Sequence, residues 1–204
     1  MKRIINNILS KLTVKKAVIV TGIFLVLLWL IDYSPIGVAG LLKVTGGISI
    51  LDFETRYSAD FAYEWLESMT EAGRSFHLTK IMPLDIVYPP AFMAFMFSWL
   101  GLLLKSNTTE DSPLRFGLLM PVIYLLLDWT ENIGITLMLV NYPQRFDMVA
   151  VATGMVTSVK KVFVLLTLIL FVIELIVLAF SKIKGVSHAE IKGQYQGDHT
   201  REIS

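Results

Sequence analysis

Cysteine is absent from this chain of 204 residues, and charged residues are scarce. The missing thiols exclude disulfide bonds, zinc–thiolate sites, iron–sulfur clusters and thiol oxidoreductases. Charged residues make up 17% of the sequence and hydrophobic residues 54%, whereas soluble domains are about a quarter charged. The formal net charge of +1 does not supply the clustered basic surface that nucleic-acid binding requires. The composition therefore predicts a membrane protein without a nucleic-acid partner.

Four apolar runs lie along the chain, and each approaches the length of about 20 residues that a bilayer-spanning helix needs. They predict an all-α integral membrane protein, a bundle of four transmembrane helices with an amphipathic extracytoplasmic helix between the first two spans. The predicted spans are residues 17–42, 83–104, 116–140 and 162–181.

The distribution of Lys and Arg predicts the orientation of these spans. Basic residues are more numerous in residues 1–16, 105–115 and 182–204 than in residues 43–82 and 141–161. The side richer in Lys and Arg is usually cytoplasmic. We therefore expect a multi-pass protein of the plasma (inner) membrane with both termini in the cytoplasm, including a solvated C-terminal tail.

The first apolar run, residues 17–31, follows a basic segment and is interrupted by residues 32–35 before apolar sequence resumes as far as Leu42. A cleavable signal peptide is one interpretation, because the run is short and small residues follow it. The long basic region and the resumed apolar sequence favour a signal anchor that is retained as the first span.

Residues 57–81 are predicted to be mostly helical. Ser58 can act as the N-cap, and Phe61, Trp65 and Met69 recur at helical spacing on one face. Gly73 is expected to bend or end the first half of this segment. We expect an amphipathic helix that lies on the membrane surface or caps the bundle.

Three basic side chains, Arg74, His77 and Lys80, are spaced three residues apart at the end of this segment. One interpretation is that they anchor the helix among lipid headgroups. The other places them over the mouth of an intramembrane polar site, where His77 could titrate.

The third span carries polar groups at its centre. Tyr124, Asp128, Glu131 and Asn132 share one helical stripe, here called the polar strip, while Trp129 points away from it. Ionised carboxylates at membrane depth cost several kcal/mol, so they normally face the bundle interior and have partners. The polar strip is therefore the predicted functional site.

Lys160 and Lys161 are the candidates for neutralising these carboxylates. If only residues 162–180 lie in lipid, both lysines anchor the span at the interface. If the helix begins near Met148, Lys161 lies close in height to Glu131 and can be its counter-ion.

The second span opens with Asp85 and Tyr88, followed by Pro89 and Pro90. Two prolines in a row remove the amides that would bond the carbonyls four residues earlier. A span that begins near Pro83 must be kinked there, with free carbonyls that are buried in protein or line a wet cavity. A span that begins at Pro89 would avoid the kink but would be short.

Three short motifs resemble a group of uncharacterised bacterial four-span membrane proteins. They are the pair Gly73-Arg74, the acid-then-proline stretch of Asp85 and Pro89, and the Asp-x-x-Glu-Asn element that begins at Asp128. A lysine before the last span corresponds to Lys160 or Lys161. The resemblance implies an architecture and a functional strip, and it supplies no reaction.

Three functions fit the sequence. The first is an accessory membrane protein whose polar strip binds a lipid headgroup, a membrane-protein partner or a second copy of the chain. The second is a membrane-embedded enzyme that acts on a lipid or isoprenoid-like substrate, with Asp128 and Glu131 as acid and base. The third is a proton-coupled transporter that acts as a dimer.

No cofactor and no metal site are predicted, because the sequence lacks zinc, nucleophile-elbow and Walker motifs. An oxygen-ligated divalent metal at Asp128, Glu131 and Asp85 is only weakly indicated. The predicted ligand- or lipid-binding residues are Arg74, His77, Asp85, Tyr88, Tyr124, Asp128, Glu131, Asn132, Lys160 and Lys161.

Overall fold

The computed structural model describes the backbone of residues 2–201 and the side chains of residues 2–182. Within this range the chain is helical and contains no strand, as predicted. The helices are α1 (Lys2–Ser10), α2 (Val14–Asp32), α3 (Val38–Thr45), α4 (Ala59–Ser68), α5 (Glu71–Phe76), α6 (Met82–Asn107), α7 (Leu119–Asn141) and α8 (Asp147–Arg201). Short 3-10 turns occupy Leu51–Phe53 and Pro113–Leu118, and a π turn occupies His77–Ile81.

Four helical stretches are long and apolar enough to cross a membrane. They are Val14–Asp32, Glu71–Asn107, Pro113–Asn141 and Asp147–Lys182. The number agrees with the sequence-based prediction, and the chain is a multi-pass membrane protein by these criteria. The boundaries differ from those predicted at several ends.

The first span ends at Asp32 and does not continue to Leu42. Pro35 cannot donate a backbone hydrogen bond, and the Ser34 hydroxyl donates to the Leu30 carbonyl oxygen at 2.5 Å. Gly37 then lies so close to α2 that an added Cβ would be 2.2 Å from the Ile31 carbonyl oxygen. The apolar sequence that follows forms the separate helix α3.

Residues 57–81 form α4, α5 and the π turn, so most of this segment is helical. The break lies at Met69–Thr70, where the Thr70 hydroxyl caps α5 by accepting from the Gly73 amide at 3.3 Å. Gly73 is inside α5 and neither bends nor ends it. Because the π turn joins α5 to α6, the second span is part of one helical stretch that begins at Glu71.

The helix that carries the fourth predicted span begins at Asp147, well before Val162, so Lys160 and Lys161 lie within α8. The predicted solvated tail lies beyond Lys182, where the side chains are outside the described part of the chain.

The bundle has two ends that we call the cap side and the far side. Segments between α2 and α6 cover the cap side, where Leu51, Leu66 and Ile135 belong to the larger buried core. α1 covers the far side, where Leu9 and Leu104 belong to a smaller core. Between them, α2 packs mainly against α6, and α8 packs mainly against α7 and α6. This arrangement leaves a space between α2 and α8.

Candidate functional site

Asn132 of the polar strip faces α6, whereas its Asp128 and Glu131 lie where α7 packs against α8. These helices approach closely at Gly134, where an added Cβ would be 2.0 Å from the Thr153 hydroxyl oxygen. One turn closer to the N-terminus of α7 and to the C-terminus of α8, the Thr157 hydroxyl donates to Glu131 Oε1 at 2.6 Å. The next turn brings Lys160 of α8 to Asp128. The antiparallel register of α7 and α8 therefore fixes which partner each acid meets.

Three carboxylates surround the Lys160 ammonium, and these four side chains form what we call the ion cluster. Lys160 Nζ donates to Asp52 Oδ1 at 2.7 Å and to Asp128 Oδ1 at 2.9 Å, and it forms an ion pair with Glu131. The Lys160 and Asp128 side chains are only 7% and 6% exposed, and Glu131 is fully buried. One ammonium thus partly neutralises three carboxylates, which leaves an excess of negative charge if all are ionised.

The segment that carries Asp52 is fastened along α8. Lys161 Nζ donates to the carbonyl oxygen of Phe53 at 3.0 Å and to that of Glu54. The Ser158 hydroxyl donates to the Thr55 carbonyl oxygen at 2.9 Å. Lys160 therefore supplies the counter-ion to Glu131, whereas Lys161, for which that role was considered, binds main-chain carbonyls. Successive side chains of an α-helix point about 100° apart, so the two neighbouring lysines face different partners and have different roles.

Asp52 lies outside the four apolar helices. Burial alone would raise the pKa of its carboxyl group, but the adjacent Lys160 ammonium outweighs burial and holds that pKa below its usual value. Asp52 is therefore a carboxylate in this structure, and its charge ties the cap to the bundle.

The two carbonyls freed by the prolines of α6 are bonded by side chains of α7. Asn132 Nδ2 donates to the Asp85 carbonyl oxygen at 3.1 Å, and Trp129 Nε1 donates to the Ile86 carbonyl oxygen at 3.1 Å. Pro89 and Pro90 occupy the positions whose amides would otherwise bond these carbonyls. The helix therefore continues through both prolines, and part of the polar strip replaces the missing backbone donors.

A cavity of about 500 Å³ lies between α2 and α8, over α6 and α7. Its volume is within the range of ligand-binding pockets in proteins. Its charged and tyrosine lining residues are Asp32, Asp52, Asp85, Tyr88, Tyr124, Asp128, Lys160 and Lys161. Its remaining lining residues are Ile31, Ile50, Phe53, Phe92, Val164, Leu165 and Leu168.

The cavity changes from charged to apolar along its length. On α8, the lining passes from Lys160 to Val164 and Leu168, a rise of about 12 Å. On α6, it passes in the same direction from Asp85 to Phe92. The cap side of the cavity is therefore charged, and the opposite end is largely apolar.

Part of the apolar end is open to the side of the bundle. Leu165 and Leu168 line the cavity and remain 57% and 38% exposed. In a bilayer, side chains with this exposure face lipid. Leu165 and Leu168 therefore belong both to the cavity lining and to the exposed surface of α8.

The residues predicted to bind a ligand fall into three groups, of which Arg74 and His77 form the last. Asp85, Tyr88, Tyr124, Asp128, Lys160 and Lys161 line the cavity. Glu131 and Asn132 lie behind its wall, where they bond Lys160 and the α6 backbone. Of the two acids considered for catalysis, Asp128 alone lines the cavity.

Arg74 and His77 are not brought to the cavity. Arg74 Nη1 donates to the carbonyl oxygens of Leu66 and Met69 at 2.8 and 2.7 Å, so it caps the end of α4. His77 is fully buried beneath Trp65, with ring centroids 5.5 Å apart. Neither ring nitrogen of His77 has a hydrogen-bond partner within the described part of the chain.

Three polar residues of the site were missed by sequence reasoning, Asp32, Asp52 and Thr157. Asp32 belongs to the interruption after the first apolar run, and Asp52 lies between that run and the predicted helix of residues 57–81, outside every motif of the sequence. The apolar neighbours Leu51 and Phe53 were the available signal that this acid is packed against the bundle. Thr157 had no distinguishing signal, because a threonine within an apolar helix usually bonds its own backbone.

The carboxylates of Asp52, Asp128 and Glu131 have oxygens within 4.8 Å of one another, a spacing that could hold a metal ion. The Lys160 ammonium contacts all three and thus takes the position of such an ion. The chemistry of this centre is that of a buried ammonium–carboxylate network.

Comparison with known proteins adds no assignment to this geometry. No family model, no curated protein and no solved structure matches the chain.

Proposed function

We propose that this protein binds an amphiphilic, lipid-like molecule in the cavity between α2 and α8. The observation that carries the proposal is the polarity of the cavity, with charged groups at the cap side and apolar walls further along. An amphiphile has the same two-part chemistry, and the exposed Leu165 of the apolar wall would lie beside the hydrocarbon region where such molecules reside.

The proposal includes the setting in which such a protein would act. It is an accessory protein of the plasma membrane with both termini in the cytoplasm, and it presents or retains its ligand for a membrane-protein partner or a second copy. The amphipathic α4, whose buried face includes Ala62, Trp65 and Leu66, would then cover the extracytoplasmic side.

The test is a cavity-filling substitution with a matched control on the same helix. Val164 lines the cavity, whereas Val172 lies two turns further along α8 and is 51% exposed. Native mass spectrometry of the protein extracted in a mild maltoside detergent should show a retained lipid-like mass in the wild type and in Val172→Phe. That mass should be lost from Val164→Phe.

A second variant tests the charged end of the cavity. Asp128→Asn should weaken retention of the same mass, and Glu174→Gln, another buried acid outside the cavity lining, should retain it. Equal retention in all four variants, or no bound mass in any of them, would contradict the proposal.

Proton-coupled transport is the second candidate, and the excess of carboxylates over ammonium groups in the ion cluster favours it. Intramembrane acids of this kind are the usual carriers of protons. Reconstituted vesicles with an internal pH-sensitive dye would report proton entry when ligand is added outside. Binding without proton movement would leave the accessory role as the better account.

A further inference from the structure

We propose that the ligand of the cavity is a cationic amphiphile, with a positively charged ammonium headgroup and an apolar tail. This inference rests on the proposed binding function and names the chemical class of its ligand. It follows from which polar atoms of the cavity are already bonded and which are free.

The lysines of the cavity are both engaged. Lys160 contacts the three carboxylates of the ion cluster, and Lys161 donates to the carbonyls of Phe53 and Glu54. An anionic headgroup would have to displace these partners. It would then leave buried carboxylates without their counter-ion, which is strongly unfavourable.

The acids of the cavity outnumber its bases. Asp32 of α2, Asp85 of α6 and Asp128 of α7 line it together with Asp52. The two lysines cannot balance four carboxylates, so the cavity carries negative charge when its acids are ionised. Negative charge enclosed by apolar walls attracts cations.

Carboxylates that line the cavity have oxygens without hydrogen-bond partners in the described part of the molecule. Asp85 is 6% exposed, and its Oδ2 has no hydrogen-bond partner in the described part of the molecule. Asp52 Oδ2 is likewise buried without a hydrogen-bond partner. Buried carboxylates normally have partners, so a ligand that brings positive charge beside these groups would complete this site.

Aromatic rings stand next to these free acceptors. Tyr88, Phe92 and Tyr124 line the cavity one to two turns from Asp85 and Asp128, and the Phe92 and Tyr124 rings meet edge to face with centroids 4.9 Å apart. Faces of aromatic rings attract ammonium groups, and the attraction strengthens where water is excluded. Val164, Leu165 and Leu168 then provide a wall for the tail.

The test uses three amphiphiles with the same eight-carbon tail and different headgroups. The purified full-length protein in maltoside micelles is titrated by calorimetry with octyltrimethylammonium, octanoate and octyl glucoside. We expect the cation to bind at least tenfold more tightly than the anion or the neutral glycoside. Asp85→Asn should weaken cation binding at least fivefold, and Glu174→Gln should leave it unchanged.

The same titrations separate failure of this inference from failure of the proposed function. Binding of octanoate or octyl glucoside as tight as that of the cation, abolished by Val164→Phe, would overturn the cationic class and retain the cavity as an amphiphile site. No binding of any amphiphile would overturn both. If Ca²⁺ bound at this site and the cationic amphiphile did not, the site would be a metal site and the inference would be overturned. If Asp85→Asn does not fold, Asp32→Asn replaces it, because Asp32 is a half-buried lining residue at the end of α2.

Discussion

On the far side of the bundle, buried charges are bonded by neutral groups, whereas on the cap side they are bonded by one another. Arg115 donates to Asn6 Oδ1 at 2.9 Å, to Thr108 Oγ1 at 3.2 Å and to the Thr108 carbonyl oxygen at 2.8 Å. Glu174 accepts from Asn107 at 2.9 Å. These bonds join α1 and α8 to the connection between α6 and α7, and they adjoin no part of the cavity lining.

The ion cluster differs from the buried charges of the far side in its excess of acidic groups and in the cavity beside it. Its three carboxylates share one ammonium, and the adjoining cavity is lined by Asp52 and Asp85, each of which has an oxygen without a hydrogen-bond partner among the described residues. A buried charge with neutral partners fastens helices together. A buried group of charges with free acceptors and adjacent space is arranged to receive something else. The far side therefore fastens helices together, and the cap side is where we propose that a ligand binds.

The largest expected effect is that of Lys160→Met, which removes the single ammonium of the ion cluster. Three buried carboxylates then lose their counter-ion, so we expect a loss of about 3–5 kcal/mol in the free energy of unfolding. Unfolding can be followed by circular dichroism in maltoside micelles titrated with dodecyl sulfate. Lys161→Met is the matched control, and it should cost no more than about 1.5 kcal/mol because it removes bonds to neutral carbonyls. Equal losses would contradict the assigned roles of the two lysines.

Arg115→Gln tests the structural role of the far side. Arg115 is 7% exposed and its bonds go to neutral acceptors, so we expect a loss of about 2–3 kcal/mol in the free energy of unfolding. Binding of octyltrimethylammonium to the folded fraction should match the wild type. A variant that keeps its stability but loses binding would reverse the comparison between the two sides.

Asp52→Asn tests how the cap is tied to the bundle through pH. The pKa of Asp52 is lowered in the folded protein, so its stabilising effect is present above the unfolded value of about 3.9. That effect is lost as the pH falls through the folded value. The melting temperature of Asp52→Asn should therefore lie below that of the wild type at pH 7, and the gap should narrow below about pH 4.

Asp60→Asn is the control for this pH dependence. Asp60 pairs with Arg145 at 2.6 Å, but its side chain is 78% exposed. Solvent screens an exposed pair, so this variant should differ little from the wild type at either pH. If the difference in melting temperature between Asp52→Asn and the wild type did not change with pH, the charge of Asp52 would not be what holds the cap to the bundle.

The sequence predicted the spans and the polar strip because both are local patterns. Long apolar runs identify transmembrane helices, and helical spacing places Tyr124, Asp128, Glu131 and Asn132 on one face. Prolines at adjacent positions predicted that the carbonyls of α6 would need other partners. Each of these inferences uses residues within a few turns of one another.

The rest of the site depends on contacts that no local pattern encodes. Asp52 meets Lys160 across more than a hundred residues, because the segment between α2 and α4 folds back over α8. The choice between Lys160 and Lys161 depends on the rotation of α8, and a helix that is apolar on every face gives no sign of that rotation. The end of the first span at Asp32 likewise reflects a tight turn, which the resumed apolar sequence concealed.

The smallest expected effect distinguishes two threonines of α8 that look alike in the sequence. Thr157 and Thr167 are both buried, but Thr157 donates to Glu131, whereas Thr167 donates only to the Phe163 carbonyl of its own helix. Thr157→Val leaves a buried carboxylate oxygen without its donor, so we expect a loss of about 1 kcal/mol in the free energy of unfolding. Thr167→Val should change it by less than about 0.5 kcal/mol, since a bond from threonine to its own helix adds little. If the two variants were equally stable, the contact between Thr157 and Glu131 would contribute nothing to the ion cluster.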